Sequence, residues 1–220
     1  MRLDPEEILR RQLILLAAAT LGMAEATFGQ TPESTPGIVP PGATYLSAAG
    51  EHDHPLIRWR IGARARFRAL GVYYEPDPSV GPGRVAAVER AFATWNRVAE
   101  LPVRFRRTLD PAVAEVRIRW VDEFDRQQAG LTEWVTDGEG WILGGTITLA
   151  RRHRDGLPMS NEYTGLVALH EIGHLVGLPH SEDPGDVMHP GNRNTRLSVR
   201  DRRSVAALYA RPASDPAAGP

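Results

Sequence analysis

The chain contains no cysteine, so disulfides and thiol chemistry are excluded. It contains no lysine either: all 26 basic residues are arginine, scattered along the chain and matched by 27 acids. That is a compositional bias rather than a basic binding surface. The net charge of -1 gives no pull toward nucleic acid or an anionic membrane. The uncharged apolar run from Leu13 to Ala24 falls short of the roughly 20 residues a membrane-spanning helix needs. There is no internal repeat.

What remains is 220 residues, 42% of them hydrophobic, which suits one domain of moderate size plus tails. Residues 1–26 read as a signal peptide. Arg10 and Arg11 precede the apolar run, and Ala24-Glu25-Ala26 follows as a small-x-small cleavage site. Asp4, Glu6 and Glu7 run against the usual positive start, and Arg10-Arg11-Gln12-Leu13-Ile14 faintly resembles a twin-arginine signal. Export, to the medium or a periplasm, is the expectation. Residues 27–55, rich in Pro, Gly, Thr and Ser, read as a linker or short pro-segment. His52, Asp53 and His54 at its end read as a solvated polar turn. A catalytic domain is expected over 56–210 and a disordered Pro/Ala tail over 211–220.

Within 56–210, short alternating stretches predict strands at Leu56 to Ile61, Arg66 to Tyr74, Val103 to Arg107, Glu115 to Val121, Leu131 to Val135 and Trp141 to Leu149. Val85, Val88, Ala91, Phe92, Trp95 and Val98 recur at three and four, predicting a helix from Arg84 to Ala99. Asp122, Glu123 and Asp125 could hold calcium, but their spacing fits no known loop and a solvated turn is favoured. Ser160 or Asn161 is placed to cap a helix with Leu166, Leu169, Ile172 and Gly173 facing the core. A last helix, capped by Ser198, runs from Val199 to Tyr209.

The stretch from His170 to His180, H-E-I-G-H-L-V-G-L-P-H, carries the chemistry. His170 and His174 lie one turn apart on one helix face, a spacing that lets both imidazoles close on one zinc ion. Gly177 can end the helix at φ > 0 and deliver His180 as a third ligand. Three neutral histidines leave a fourth zinc position open, the mark of a catalytic rather than a structural site. Glu171 sits beside the first ligand. Eight residues beyond His180 comes Met188.

The extended histidine motif and Met188 together resemble the metzincin zinc proteases. Within them the chain most resembles the matrixins, the group that includes matrix metalloproteinases and many short bacterial relatives. The resemblance is carried by Ser181 after the third histidine, Met188-His189-Pro190, Leu197-Ser198-x-x-Asp201 and Ala207-Leu208-Tyr209. Upstream, Arg58-Trp59, Ala91-Phe92-x-x-Trp95 and Ala114-Glu115-Val116-x-Ile118 echo the family. It covers roughly residues 56 to 210.

The resemblance implies an α+β metzincin-like zincin fold: a mostly parallel, twisted five-stranded sheet with an antiparallel edge strand, an active-site helix and a C-terminal helix. It implies one catalytic zinc on His170, His174 and His180, Glu171 as general base and Met188 as a structural methionine turn. An extended substrate would pair with the edge strand Leu131, Thr132, Glu133, Trp134 and Val135. Val167, Leu166 and the loop 189–196 would shape the pocket beside the zinc. Zinc would lower the pKa of water from about 15.7 toward 7, and Glu171 would move its proton to the leaving amine.

There are departures. Arg200 stands where the family's last helix usually has the first of two adjacent acids, so an altered contact to the methionine turn is expected. The histidine set of a second, structural zinc is missing, His153 being alone in that region, and no cysteine can hold the zinc latent. The expected partner is a protein or peptide substrate, with no nucleic acid, no stable membrane insertion and a monomeric chain. The competing reading is an exported, non-catalytic zinc-binding or adhesion module on the same fold. Retention of Glu171 argues against it. A zinc amidase would usually disperse its ligands.

Overall fold

Alternation of apolar and charged side chains builds the sheet in this computed structural model, which describes residues 44–46, 57–62, 65–125, 128–137 and 139–211. In β2 (Arg68–Tyr74), β3 (Val103–Thr108) and β4 (Val116–Val121), the buried residues are Leu70 and Val72, Val103 and Phe105, Val116 and Ile118. The intervening Arg104 and Arg117 are half-buried, and Arg106 and Arg119, which follow the buried pairs, are exposed. That is the period-2 pattern of a sheet with one covered face. With β1 (Arg58–Trp59), β5 (Gly130–Thr136) and β6 (Trp141–Ala150), the order is β1-β6-β4-β2-β3, and β5 pairs with β6. All pairings are parallel except β5 with β6. The expected parallel sheet with an antiparallel edge is present, and the two-residue β1 makes its strands six. The hairpin joining β5 to β6 closes on Asp137, whose carboxylate accepts from Glu139 N and Trp141 N, with Gly140 at φ 87°.

Helix α1 (Pro82–Trp95) begins with Pro82, whose fixed φ suits a first turn. It stops four residues before the expected Ala99. The reason is tertiary: the Asn96 side chain closes on the backbone of β3, donating to Phe105 O at 2.9 Å and accepting from Phe105 N at 2.8 Å. Val98 still reaches the core. Helix α2 (Asn161–Leu175) is capped by Ser160, which accepts from Tyr163 N at 3.1 Å. The two helices are pinned by Trp95, whose indole donates to Leu169 O at 2.9 Å. Leu169, Ile172 and Gly173 are buried as expected, and Leu166 is half-buried. Helix α3 (Val199–Ala210) opens with a capping box formed by Ser198 and Asp201.

Arg58 and Trp59 cap helix C-termini, where backbone carbonyls lack intrahelical partners. Arg58 donates to Leu208 O at 2.7 Å and Arg211 O at 3.0 Å, and Trp59 Nε1 donates to Leu175 O at 2.9 Å. Within the stretch read as a linker, Tyr45 and Leu46 are buried. The Tyr45 hydroxyl donates to Asp201 Oδ1 at 3.0 Å and its amide to Ser204 Oγ at 3.2 Å. In the acidic turn, Asp122 pairs with Arg151 at 2.9 Å. No helix among the described residues is long and apolar enough to cross a membrane. The expected signal peptide, His52 to His54 and the tail beyond Arg211 lie outside the described residues.

Candidate metal centre

The end of α2 builds the centre. Gly177, at φ 99°, donates its N–H to His174 O at 2.8 Å, and Leu178 N donates to Gly173 O at 3.0 Å. These are the paired bonds of a Schellman stop. A side chain at Gly177 would also place its Cβ 2.0 Å from Ile57 O, so both conformation and close approach require glycine. Tyr209 seals the same end, donating to Val176 O at 3.1 Å. The chain turns and brings His180 back beside the helix.

His170 and His174 are buried and His180 half-buried, with all three rings in one cluster. His174 Nε2 lies 3.1 Å from His170 Nε2 and 3.2 Å from His180 Nε2. The Nδ1 of His170 faces Val187 O at 2.8 Å and that of His174 faces Leu178 O at 2.9 Å. A carbonyl can only accept, so each Nδ1 carries the proton and each Nε2 presents a lone pair. His170 and His174 thus bring acceptors together with no proton to share between them, an arrangement suited to a cation. The separations are close to the ~3.3 Å edge of a tetrahedron with zinc–nitrogen bonds of about 2.05 Å. Burial pushes His170 down to about 4, against the hydrogen bond to Val187, so it is neutral at pH 7 as a ligand must be. The residues fit a zinc ion.

Glu171 is buried beside the cluster. Thr132 of β5 donates to its Oε2 at 2.6 Å, and the Thr132 hydroxyl also lies 2.9 Å from Glu171 O. Burial pushes the carboxyl up to about 7, with the Thr132 hydrogen bond acting in the opposite direction. A cation nearby would favour the ionised form.

Met188 is fully buried, and its sulfur sits where Gly173 has no side chain: a Cβ there would lie 2.1 Å from Sδ. Val187 and Met188 are tied down by two further bonds. Asp201 Oδ2 accepts from Val187 N at 3.0 Å, and Ser181 N donates to Met188 O at 2.9 Å. The last helix contacts this turn through Asp201, with Arg200 beside it. Asp201 alone accepts from the turn's backbone, while Arg200 approaches Asp186 at 3.1 Å and Asp183 at 3.5 Å. His189 stands outside the cluster, its Nδ1 accepting from Gly191 N at 3.1 Å.

The strand expected to bind substrate is an edge strand, paired only with β6 among the described residues. Its side chains divide by parity. Thr132 is fully buried against Glu171, and Trp134 donates its indole N–H to His174 O at 3.0 Å. Leu131 and Glu133 are half-buried, and Val135 is 59% exposed. Thr132 and Trp134 therefore support the site with their side chains, a role that strand alternation alone did not disclose.

This fold, with its histidine cluster at the end of a glycine-terminated helix and a methionine turn packed on that helix, is that of the metzincin metalloproteases. The family model described as matrixin matches residues 83–210, and the chain belongs to that family. It is similar to metalloendoproteinase 1 of Glycine max, 27% identical over 173 residues covering 69% of this chain and 52% of that protein. It is also similar to matrilysin of Felis catus, at 33% over 135 residues (56% and 50%), and to macrophage metalloelastase of Rattus norvegicus, at 31% over 140 residues (58% and 29%). The chain spans about half the length, or less, of these relatives.

Proposed function

We propose that this matrixin is an exported zinc endopeptidase that hydrolyses peptide bonds of protein substrates. The reading rests above all on three converging imidazoles flanked by one buried carboxylate. His170, His174 and His180 hold the metal. When bound, zinc supplies a Lewis acid for the scissile carbonyl and a lowered pKa for the attacking water. Glu171 takes the water proton at Oε1, the oxygen with no hydrogen bond to the described residues, while Oε2 stays on Thr132. The water oxygen bonds to the carbonyl carbon, the carbon–nitrogen bond breaks, and Glu171 returns the proton to the leaving amine. The edge of β5 that is unpaired among the described residues, Leu131 to Val135, pairs with the extended backbone of the substrate, so sequence preference falls to the pocket near Leu166, Val167 and residues 189–196. Export is supported by Arg10-Arg11, the apolar run and Ala24-Glu25-Ala26 in residues 1–26, with the catalytic domain over 56–210.

The test compares wild type with Glu171→Ala on an unfolded protein substrate, with zinc measured in both. One zinc per chain is expected in each, and a loss of roughly 10²–10⁴-fold in cleavage by the variant. Equal cleavage would overturn the role of Glu171. A wild type without zinc would overturn the site.

A further inference from the structure

We propose that Thr132 is a positioning residue for Glu171: its hydroxyl tethers Oε2, leaving Oε1 as the oxygen that exchanges protons. This rests on the reading of Glu171 as the base.

Three observations carry it. At 2.6 Å, the contact between Thr132 Oγ1 and Glu171 Oε2 is in the range of a hydrogen bond strengthened by a charged acceptor. The same hydroxyl lies 2.9 Å from Glu171 O, so it sits in the fork between the residue's own carbonyl and its carboxylate and limits how the side chain can turn. Second, Gly130, two residues earlier on the same face of β5, shapes the other half of the carboxylate. A Cβ there would lie 2.7 Å from Oε1, 2.7 Å from Glu171 Cγ and 2.6 Å from Val167 Cγ1. The bare glycine lets the strand come close enough for the Thr132 bond without a side chain colliding with Oε1. Third, Thr132 is fully buried. A buried hydroxyl carries a desolvation cost that valine, of the same shape, avoids. Filling space does not account for a hydroxyl here, whereas holding Oε2 does.

The experiment uses the full chain as wild type, Thr132→Val, Thr132→Ser and Thr132→Ala, with Glu171→Ala in the same assay. Thr132→Val should lower kcat by about tenfold to a hundredfold, the scale of a misplaced catalytic group. KM should stay within about twofold, as for an interaction made only in the transition state. Zinc should remain at one per chain, and Thr132→Ser should recover kcat to within about threefold of wild type. Crystal structures of the zinc-free proteins supply a readout independent of turnover. Glu171 should keep one orientation in wild type and Thr132→Ser and turn away in Thr132→Val. Wild-type kcat in Thr132→Val, a Thr132→Ser variant as impaired as Thr132→Val, or an unmoved Glu171 would each overturn the inference. If Thr132→Val does not fold, Thr132→Ala against Thr132→Ser decides in the same way. A wild type that cleaves nothing overturns the proposed function instead, and the zinc-free structures then decide the position of Glu171 alone.

Discussion

Two regions hold the residues of α2, and they do so with different chemistry. The strand β5 uses neutral groups: the Thr132 hydroxyl on Glu171, the Trp134 indole on His174 O, and a bare glycine at position 130. The segment from Ser181 to Ser204 uses buried carboxylates. Asp186 accepts from the hydroxyls of Ser181 and Ser198, each at 2.6 Å, and faces Arg200. Asp201 accepts from Val187 N, Ser198 N and the Tyr45 hydroxyl. A buried carboxylate is tolerated only with its full set of donors, and those donors are stranded when it is removed. The segment 181–204 is therefore a frame with little freedom to vary. The β5 face contributes single bonds from neutral groups, so the loss of one of them is expected to cost the fold less.

The largest effect that tests this contrast is expected from Asp201→Ala. It leaves Val187 N, Ser198 N and the Tyr45 hydroxyl without their acceptor beneath a turn whose Val187 O faces His170. A loss of about 3–5 kcal/mol is expected in urea unfolding of the zinc-free protein. A loss below about 1 kcal/mol would show that the carboxylate frame is no firmer than β5.

Gly173→Ala comes next. The new Cβ would meet Met188 Sδ at 2.1 Å and Trp95 Cζ2 at 3.2 Å, and Met188 is enclosed in the core. Overpacking of this kind costs about 1–3 kcal/mol, offset by up to about 1 kcal/mol of helix propensity gained by replacing glycine. A net loss of about 1–2 kcal/mol in thermal or urea unfolding is expected. Combining it with Met188→Ala should cost less than the sum of the two single changes, because the cavity accepts the methyl. Strict additivity would mean that Gly173 and Met188 do not share the space.

These contacts also mark how far the sequence alone could be read. The three histidines, Glu171, Gly177 and Met188 lie within nineteen residues, and their order follows from helix spacing and a glycine stop, both local. The strands were legible because β3 and β4 alternate apolar residues with arginine. The end of α1 was not, because the Asn96 side chain at its C-cap bonds the backbone of Phe105 in another element. Thr132 and Glu171 are 39 positions apart, so alternation could place Thr132 on one face without saying what that face meets. Tyr45, surrounded by proline, glycine and alanine, gave no periodic signal at all, yet it reaches Asp201. Arg200 read as a lost acid, and the structure instead finds it facing Asp186 across the turn.

The smallest effect should come from Trp134→Phe on β5. The indole N–H is lost, but His174 O still accepts from Gly177 N at 2.8 Å, so no carbonyl is stranded. The orientation of the His174 ring is set at Nδ1 by Leu178 O at 2.9 Å, and the edge-on indole lies 6.4 Å away between centroids. A cost of about 0.5–1 kcal/mol in unfolding is therefore expected. Zinc affinity, measured by competition with a chelating dye, should fall by no more than about tenfold, the lower bound for an outer hydrogen-bond partner. A larger fall would make β5 part of the metal-holding frame, and the division between a fixed carboxylate frame and a neutral strand would no longer stand.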